Sequence, residues 1–532
     1  MYENKNIRFD KNQIPMYFIT GKLGFDDHGV EVSFNSDIVF DENQMFWKQN
    51  CVKFELVDDI DVINHFKRNF SSYDHCNLIK SGTKNMILEA YKQYGREKYN
   101  SLKQVPNDCI VFNNAIVYVG KKNPRSIFTD DDIVDDITIN DGYILSTHNY
   151  FITNPTPYNY DPKNKKEYPH IKKLLCDWVG EDKIDILIEA IAYAMLSDNP
   201  FEEGFMLKGI GANGKTSFCK LVEKIIGKDN CTATNLYNLT ENKFGTAQLY
   251  KKLVCFIAET DGHKLDKTST LKSITGNDPI PAEFKNKPNF TFKNYATIFV
   301  TTNTIPQTTD KTDGWYRRWI IIDFKNKFTE HKNIFEDIPL EEYEAFANDC
   351  VDRLKVILKQ GHFTNEPSIK EKAFIYERES NPLLGFINQY YEITEDPNDY
   401  VFGYEFYNDY LDYCEKNGFS KNITRRSISL ELQSMNVPTE RQIDYGKEEH
   451  PKYYAYIGIK KKQINQLEGV IDKAPIQNID RNKEYTKEEI YNYFINVKKI
   501  SKEYSVDDLV SLLKKNGVIY EPKDGIYKIL YI

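Results

Sequence analysis

The sequence predicts an α/β protein with a central parallel sheet, and three observations support this fold class. Short apolar runs suited to buried strands occur at 205–207, 253–258, 297–302 and 319–322. Continuous apolar runs, rather than alternating ones, are typical of parallel strands that are buried on both faces. A glycine-rich turn and a helical pattern follow the first run, and polar residues flank the others. Ligands of such sheets bind at the carboxyl ends of the strands, so we expect the functional site there.

The most specific motif follows the first of these strands. Residues 209–216 read Gly-Ile-Gly-Ala-Asn-Gly-Lys-Thr, the G-x-x-x-x-G-K-[ST] pattern of a phosphate-binding P-loop. A strand, a glycine loop and a helix let backbone N–H groups and the positive helix N-terminus face phosphates. Lys215 is expected to reach the β and γ oxygens, and Thr216 to offer its hydroxyl to Mg²⁺. The predicted cofactors are ATP and Mg²⁺, and the predicted nucleotide-binding residues are Gly209, Gly211, Ala212, Asn213, Gly214, Lys215, Thr216 and Ser217.

Polar residues beside the other strands supply the remaining predicted catalytic groups. Phosphoryl transfer needs a positioned water and neutralised charge rather than covalent catalysis. Glu259 is placed to polarise the water, and Asn303 to orient it against the γ-phosphate. An arginine that stabilises the developing charge is expected from Arg317 or Arg318, just before the last strand. The predicted metal ligands are Thr216, Glu259 and Asp261.

The segment 271–290 is predicted to form a β-hairpin. Turn signals at 276–277 and 286–288 flank extended stretches, which leaves Phe284, Lys285 and Lys287 near the tip. Two lysines and an aromatic ring suit contact with the phosphates and bases of single-stranded DNA. A solvated loop is the alternative interpretation of the same residues.

Taken together, residues 106–330 resemble the helicase portion of the phage, plasmid and poxvirus primase-helicases, a branch of the superfamily 3 (AAA+) helicases. The segment 113–162 is similar to the adaptor before the motor, 209–216 to the first motif, and 258–260 to the second. Lys272 with 275–278 is similar to an extra motif that precedes a pore-lining hairpin, and this resemblance implies that Lys272 contacts DNA. The segments 302–306 and 313–318 are similar to the sensor and arginine-finger motifs.

This resemblance implies an AAA+ ring, usually a hexamer, with ATP sites between subunits and lysine hairpins that grip DNA in the channel. The implied partners are single-stranded and forked DNA, other copies of the chain, and a primase or other replication proteins. Ala258 departs from the general pattern, because many such ATPases carry Asp there. Either Glu259 serves both metal and water or Asp261 contributes, and the sequence leaves both alternatives open.

The flanking regions predict further domains. We expect an N-terminal α+β domain (1–105), a mainly helical adaptor (106–205) with a strand-like stretch at 109–119, and the ATPase (206–375). A winged-helix-like DNA-binding domain (376–463), a linker (464–481) and a second winged-helix-like domain (482–532) follow. In the first of these modules a helix that begins with Arg425 and Arg426 is predicted to contact DNA, because residues 420–462 carry a net charge of +4. A solvated helix that contacts protein is the alternative.

The composition and charge of the chain argue against several other classes of protein. The net charge of −9 does not favour a nucleic-acid partner, although local patches rather than totals decide binding. Nine scattered cysteines without a C-x-x-C pair argue against a zinc site or a disulfide framework. No apolar run approaches a bilayer span, and the first residues lack a signal segment. We therefore expect a cytoplasmic protein that is neither secreted nor bound to a membrane.

The sequence predicts an ATP-dependent replicative DNA helicase of a mobile element, phage or virus, and three rivals stay open. One is an ATP-driven, origin-binding initiator or remodeller that does not unwind DNA processively. Another is a non-catalytic DNA-binding protein of a replisome. A third is a primase in residues 1–105, whose only signal is the acidic stretch 58–61. We favour a solvated turn or a helix start for that stretch, because no matching histidine or third acid follows.

Overall fold

The structure is a computed structural model of the 532-residue chain. It describes residues 22–25, 31–33, 36–69, 81–128, 136–145, 149–209, 211–258, 265, 268–285, 287–328, 334–394, 396–417, 419, 423–443, 453–462 and 485–496, together with 506, 510, 513, 519–523 and 526–529. The predicted linker at 464–481, Glu259 and Asp261 lie outside these residues.

The N-terminal region combines antiparallel strands with two helices, as predicted for an α+β unit. Its elements are β1 (Lys22–Phe25), β2 (Glu31–Ser33), β3 (Ile38–Phe40), β4 (Phe46–Asn50), β5 (Lys53–Val57), α1 (Asp59–Asn69) and α2 (Ser81–Ser101). The two helices pack on the β3-β4-β5 sheet around Phe46, Phe66 and Tyr91. Asp58 accepts hydrogen bonds from the backbone of Ile60 and Asp61, so the acidic stretch 58–61 begins a helix.

The next region holds more sheet than the predicted helical adaptor. Its elements are β6 (Lys103–Gln104), β7 (Cys109–Val111), β8 (Ile116–Tyr118), β9 (Tyr143–Ile144), β10 (Tyr150–Phe151), α3 (Asp136–Asn140), α4 (Pro169–Val179) and α5 (Ile184–Ala194). β7, β8 and β9 form an antiparallel sheet, because two short apolar runs flank the Asn113–Asn114 turn. The two long helices of this region occupy its second half.

A five-stranded parallel sheet forms the centre of the molecule, which confirms the predicted α/β fold. The strands after β10 are β11 (Gly204–Lys208), β12 (Cys231–Thr234), β13 (Val254–Ile257), β14 (Pro279–Ala282), β15 (Phe290–Lys293), β16 (Thr297–Thr302) and β17 (Trp319–Asp323). The sheet order is β12-β13-β16-β11-β17, and every neighbouring pair is parallel. β12 was not predicted, because Cys-Thr-Ala-Thr lacks an apolar run.

Side chains of alternate residues enter two different cores on the two faces of this sheet. Phe205 and Leu207 pack with helices of one layer, and Met206 packs in the other layer with the hairpin strands and Trp319. Both faces are therefore covered, as continuous apolar strands require. The helices of the region are α6 (Lys215–Ile226), α7 (Leu236–Glu241), α8 (Thr268–Thr275), α9 (Asp313–Tyr316), α10 (Leu340–Gln360) and α11 (Ile369–Ser380).

Residues 382–461 form a separate core of three helices and short strands. The elements are α12 (Pro382–Tyr390), β18 (Tyr391–Ile393), β19 (Tyr400–Phe402), α13 (Gly403–Asn417), α14 (Arg425–Ser434), β20 (Thr439–Ile443), β21 (Tyr453–Ile457) and β22 (Ile459–Lys461). Phe386, Phe406 and Tyr456 lie in the core. Strands 391–393 and 400–402 lie between the first and second helices of this unit, and the winged-helix assignment stays a prediction.

The last described residues contain α15 (Lys487–Asn496), β23 (Ile519–Lys523) and β24 (Ile526–Ile529). Thr486 and Glu489 exchange backbone and side-chain hydrogen bonds, as expected for a capping box. β23 and β24 pair antiparallel. In the part of the chain that the structure describes, no helix is both long and apolar enough to span a bilayer.

Candidate functional site

Two of the predicted site elements meet at the carboxyl edge of the sheet. β11 and β16 are parallel neighbours, so the glycine loop after Lys208 and Asn303 after Thr302 emerge side by side. β13 adjoins β16 and ends at Ile257, two residues before the predicted Glu259. The order of the strands therefore directs the glycine loop and Asn303 toward one edge.

The glycine loop has a backbone that few residue types can adopt. Gly211 and Gly214 have φ of 27° and 94°, and even Ala212 has a positive φ of 55°. A Cβ on Gly214 would lie 2.3 Å from the ring of Trp178 in α4, so glycine is required there for space as well. The side chain of Asn213 donates to the carbonyl of Phe324 at 3.0 Å, which fixes the loop to the end of β17.

Lys215 is the first residue of α6 and contacts both the glycine loop and Asn303. It is 6% exposed. Its ammonium donates to the carbonyl of Gly209 and to the side-chain oxygen of Asn213 at 3.2 Å. The side-chain oxygen of Asn303 lies 3.3 Å from the same ammonium. A lysine inside a glycine loop and an amide from the neighbouring strand therefore lie within hydrogen-bond reach of each other.

Of the three predicted Mg²⁺ ligands, the structure describes Thr216. Thr216 is exposed in the first turn of α6, where its hydroxyl can meet a ligand, and Ser217 is half-buried beside it. Within the described ranges, no group of three or more histidine, cysteine, aspartate or glutamate residues could hold a metal ion. The carboxylates predicted for this role, Glu259 and Asp261, fall in the undescribed segment 259–264.

The predicted arginines lie at the opposite edge of the sheet. The backbone N–H of Gly204, at the start of β11, donates to the carbonyl of Arg318 at 2.7 Å. The glycine loop starts at the other end of β11, four residues and about 13 Å away along the strand. Arg317 and Arg318 are thus separated from Lys215 of their own chain by the length of a strand.

The two arginines have different environments. Arg318 is 8% exposed and donates to the carbonyls of Gly314 and, at 3.4 Å, of Lys272. The side chain of Arg317 is 39% exposed and pairs with Glu202, whose carboxylate also lies 3.5 Å from the guanidinium of Arg318. Arg318 therefore ties α8 to α9, and Arg317 is the arginine that has access to solvent.

The predicted hairpin is present, and its tip contacts the N-terminal region. β14 and β15 pair antiparallel, with Phe284, Lys285 and Lys287 between them. Lys285 is exposed, and the ammonium of Lys287 lies 2.8 Å from a carboxylate oxygen of Asp59 in α1. Phe284 stacks on Phe290 with ring centroids 5.6 Å apart. One lysine is thus open at the tip, the other is held in an ion pair, and the ring packs inward.

Lys272, predicted to contact DNA, lies away from that tip in an internal ion pair. Its ammonium is 2.7 Å from Asp310. Burial would raise the pKa of Asp310, but hydrogen bonds from Lys272, Thr312 and Thr268 hold it below its ordinary value. Arg425 and Arg426, by contrast, are both exposed at the start of α14.

The sequence predicts no site role for α11, which nevertheless touches three parts of the site. Glu379 pairs with Lys208, the residue before the glycine loop. Tyr376 donates to the carbonyl of Pro306, three residues after Asn303, at 2.8 Å. Lys372 donates to the carbonyl of Arg317 at 3.1 Å. No motif marks these residues, because only the packing of α11 brings its side chains to the sheet.

Lys372 also lies between two carboxylates, of which Glu203 is buried and Glu366 is half-buried. Its ammonium is 2.6 Å from Glu203 and 2.7 Å from Glu366. Burial, together with the neighbouring Glu366, raises the pKa of Glu203 to about 8 despite the attraction of Lys372. Glu203 therefore binds its proton more tightly than an exposed glutamate does, just before the strand that carries the glycine loop.

Comparisons with known proteins match part of this region. A family model described as a family of unknown function, DUF5906, matches residues 207–318, which include the glycine loop, Asn303 and both arginines. A protein of Acanthamoeba polyphaga mimivirus, provisionally named as a helicase, is 24% identical over 195 residues. That match covers 35% of this chain and 19% of the mimivirus protein, so the chain spans a minor part of its curated relative.

Solved structures of the NrS-1 C-terminal region also align with the chain. The A form apo structure covers 85% of this chain and all of the solved chain, with 14% identity and a TM-score of 0.38. A second apo structure of the same region gives 13% identity and a TM-score of 0.37 over the same shares.

Proposed function

We propose that this chain is an ATP- and Mg²⁺-dependent DNA helicase that serves the replication of a virus or mobile element. The main support for the proposal is the 3.3 Å distance between the ammonium of Lys215 and the side-chain oxygen of Asn303 beside the glycine loop. A cation, an amide and a helix N-terminus at the carboxyl edge of a parallel sheet suit the β and γ phosphates of a nucleotide. The weak similarity to a mimivirus protein named as a helicase supports the same class.

In this proposal each functional residue at the carboxyl edge of the sheet has a defined role. The N–H groups of the loop and of the first turn of α6 bind phosphate oxygens, and Lys215 neutralises the β and γ oxygens. Thr216 holds Mg²⁺ together with Glu259, or with Glu259 and Asp261. Asn303 orients the attacking water, which Glu259 polarises. Bound Mg²⁺ would supply charge neutralisation between the phosphates.

The distant arginines support a site shared between two copies. Because about 13 Å of strand separates Arg318 from the glycine loop of its own chain, the charge-stabilising arginine must come from a neighbour. Arg317 suits this role, because its side chain is 39% exposed whereas Arg318 is buried. Repeating such a head-to-tail contact generates a closed ring or an open filament, and we propose a ring, most simply a hexamer.

DNA would then contact Lys285 and Lys287 of the hairpin, and Arg425 and Arg426 of α14. Lysines and arginines provide the phosphate contacts of non-specific binding, and hydrolysis would move the hairpin along one strand. Single-stranded and forked DNA are the expected partners, with a primase or other replication proteins as further ones.

The test is ATP turnover and strand displacement on a forked DNA, measured on the full chain with Mg²⁺. We expect both activities, and we expect Lys215→Ala to abolish both while Lys220→Ala, an exposed lysine on the same helix, leaves them unchanged. ATP turnover without displacement at either polarity would identify a remodeller or initiator instead. No turnover by the wild-type chain would contradict the proposal and favour a non-catalytic replication protein.

A further inference from the structure

The loop before α4 and the first part of that helix carry an unusual concentration of lysine. We define the basic surface as the lysines of residues 163–173, all of them exposed: Lys163, Lys165, Lys166, Lys172 and Lys173. With one glutamate and a neutral histidine, this stretch of 11 residues has a net charge of +4, whereas the net charge of the whole chain is −9. Local patches rather than totals decide the binding of polyanions, so this surface is a candidate contact.

The backbone that carries the basic surface is fixed to its surroundings. The N–H of Lys163 donates to the carboxylate of Asp161 at 2.9 Å, and the N–H of Asp161 donates to the side chain of Asn348 in α10 at 3.0 Å. At the other end of the loop, Glu342 of α10 accepts from the N–H of His170 at 3.0 Å. The lysines therefore extend from a segment that is held against α10.

Carboxylates beside this surface already have partners. Asp349 accepts from the hydroxyl of Tyr168 at 2.9 Å, and Asp352 lies 2.5 Å from the ammonium of Lys165. Among the residues that the structure describes, none of the other four lysines of the basic surface forms an ion pair with a carboxylate. Four positive charges therefore remain for an anion from outside the chain.

Helix stability does not explain the lysines at the start of α4. Pro169 is the first residue of α4, so Lys172 and Lys173 lie close to the positive end of the helix, where cations are unfavourable. A cavity of about 350 Å³ opens at the same place. The charged residues that line it are three lysines and two acids: Lys165, Lys166, Lys172, Glu167 and Asp349. Lysines that oppose the helix dipole and line a cavity indicate a surface for an anion.

The basic surface offers no open aromatic ring. Tyr168 is the one tyrosine, phenylalanine or tryptophan of residues 163–173. Its ring makes an edge-to-face contact with Phe346 of α10, with centroids 5.1 Å apart, and its hydroxyl donates to Asp349. Single-strand binding relies on bases that stack on aromatic rings, and this surface lacks such a platform. Lysines alone suit the phosphates of a strand whose bases are already paired.

α4 connects the basic surface to the glycine loop. Near the end of this helix, the ring of Trp178 occupies the space beside Gly214. The carbonyl of Asp177 accepts from the side chain of Asn326 at 2.6 Å. The helix has 11 residues, so about 16 Å of helix separates its two ends. A duplex held at the start of α4 would therefore keep a fixed distance from the nucleotide-binding loop.

We propose that the basic surface binds the sugar–phosphate backbone of duplex DNA, with phosphates held by Lys163, Lys166, Lys172 and Lys173. A duplex carries about one phosphate charge per 1.7 Å of its axis, twice the density of one strand, so several lysines on a fixed segment can each meet a phosphate. Such contacts position DNA without reading its sequence. The inference rests on the proposed function and deepens it by naming the surface that would hold the unopened arm of a fork.

The test measures the affinity of the full chain, without nucleotide, for a fluorescent blunt duplex and for an oligothymidine of equal length. We expect the double variant Lys166→Ala with Lys172→Ala to weaken duplex binding about ten-fold. The slope of the logarithm of affinity against the logarithm of salt concentration should fall by about two, one for each lost phosphate contact. Binding of the single strand should change little, because the hairpin is the proposed contact for that form.

Two further double variants make the test specific. Lys166→Arg with Lys172→Arg should retain duplex binding, because both positive charges remain. Lys121→Ala with Lys122→Ala is the matched control, because it removes two exposed lysines outside the basic surface, and it should leave duplex binding unchanged. Thermal unfolding checks that each variant folds.

Equal weakening for both DNA forms would show a general contact for polyanions, and unchanged duplex binding would leave the lysines to solvent or to an acidic protein. Loss of duplex binding in the arginine variant would show a structural role, and equal loss in the control would show an effect of total charge. Each of these results overturns the inference, as does a wild-type chain that binds no duplex. The proposed function fails separately, since it depends on ATP turnover and displacement by the wild-type chain.

Discussion

The ammonium of Lys215 lies 3.3 Å from the side-chain oxygen of Asn303, although 88 residues separate them in the chain. Parallel pairing of β11 and β16 produces this contact, because it brings the ends of both strands to one edge of the sheet. We infer that a triphosphate bound to the glycine loop would lie beside both side chains. The first prediction follows from that position.

Asn303→Ala should retain nucleotide binding and lose ATP turnover. The amide is expected to orient the attacking water, and loss of one such positioned group commonly costs on the order of 10²–10³-fold in rate. Turnover and binding of a fluorescent ATP analogue would be measured side by side. Thr301→Ala, a half-buried change on the same strand, serves as the control. Full turnover by Asn303→Ala would remove this residue from the site.

Arg317→Ala and Arg318→Ala should affect different properties of the protein. Arg318 is buried and donates to two carbonyls, so its loss should cost about 2 kcal/mol and lower the Tm. Arg317 is partly exposed, so its loss should leave the Tm nearly unchanged and abolish turnover. Thermal scans and ATPase assays on both variants separate the effects. The reverse pattern would make Arg318 the residue that acts on ATP.

Lys287 is held by Asp59, so the two residues should have opposite effects on DNA binding. Lys287→Ala should weaken binding to single-stranded DNA and reduce its salt slope by about one. Asp59→Asn should strengthen binding, because the lysine loses a competing carboxylate at 2.8 Å. Lys92→Ala, which removes an exposed helix lysine paired with Glu89, is the control. Weaker binding by Asp59→Asn would show that the contact serves to position the hairpin.

Stability should depend on pH through Glu203. Burial raises its pKa from the ordinary 4.5 to about 8 in the folded chain. The folded state therefore binds the proton more tightly, and this contribution is fully present below pH 4.5 and is lost as the pH rises toward 8. The loss is at most about 1.4 kcal/mol per pH unit. Thermal unfolding at pH 6 and pH 8 should show a smaller drop in Tm for Glu203→Gln than for wild type. Equal drops would mean that Glu203 is ionised throughout.

Much of the region around the parallel sheet could be predicted because its signals are local. Apolar runs located β11, β13, β16 and β17, and the glycine pattern located the loop between β11 and α6. The hairpin at β14 and β15 followed from its turn residues. β12 could not be predicted, because this edge strand consists of small and polar residues and contains no apolar run.

Long-range packing explains what could not be predicted. Nothing near Lys208 in the sequence indicates that it pairs with Glu379 of α11, 171 residues later. Lys272 carried the pattern of a DNA contact, yet its position opposite Asp310 follows only from the packing of α8.

The central claim is that ATP is bound by the glycine loop of one copy and reached by Arg317 of the next. The most direct test is to co-express Lys215→Ala and Arg317→Ala chains, so that mixed assemblies form during synthesis, and to measure their ATP turnover. Each variant alone should be inactive. In mixed assemblies the intact loop of one chain meets the intact arginine of the other, and random mixing should restore roughly a quarter of the sites. No recovery in mixed assemblies of confirmed composition, or full activity of Arg317→Ala alone, would contradict the claim.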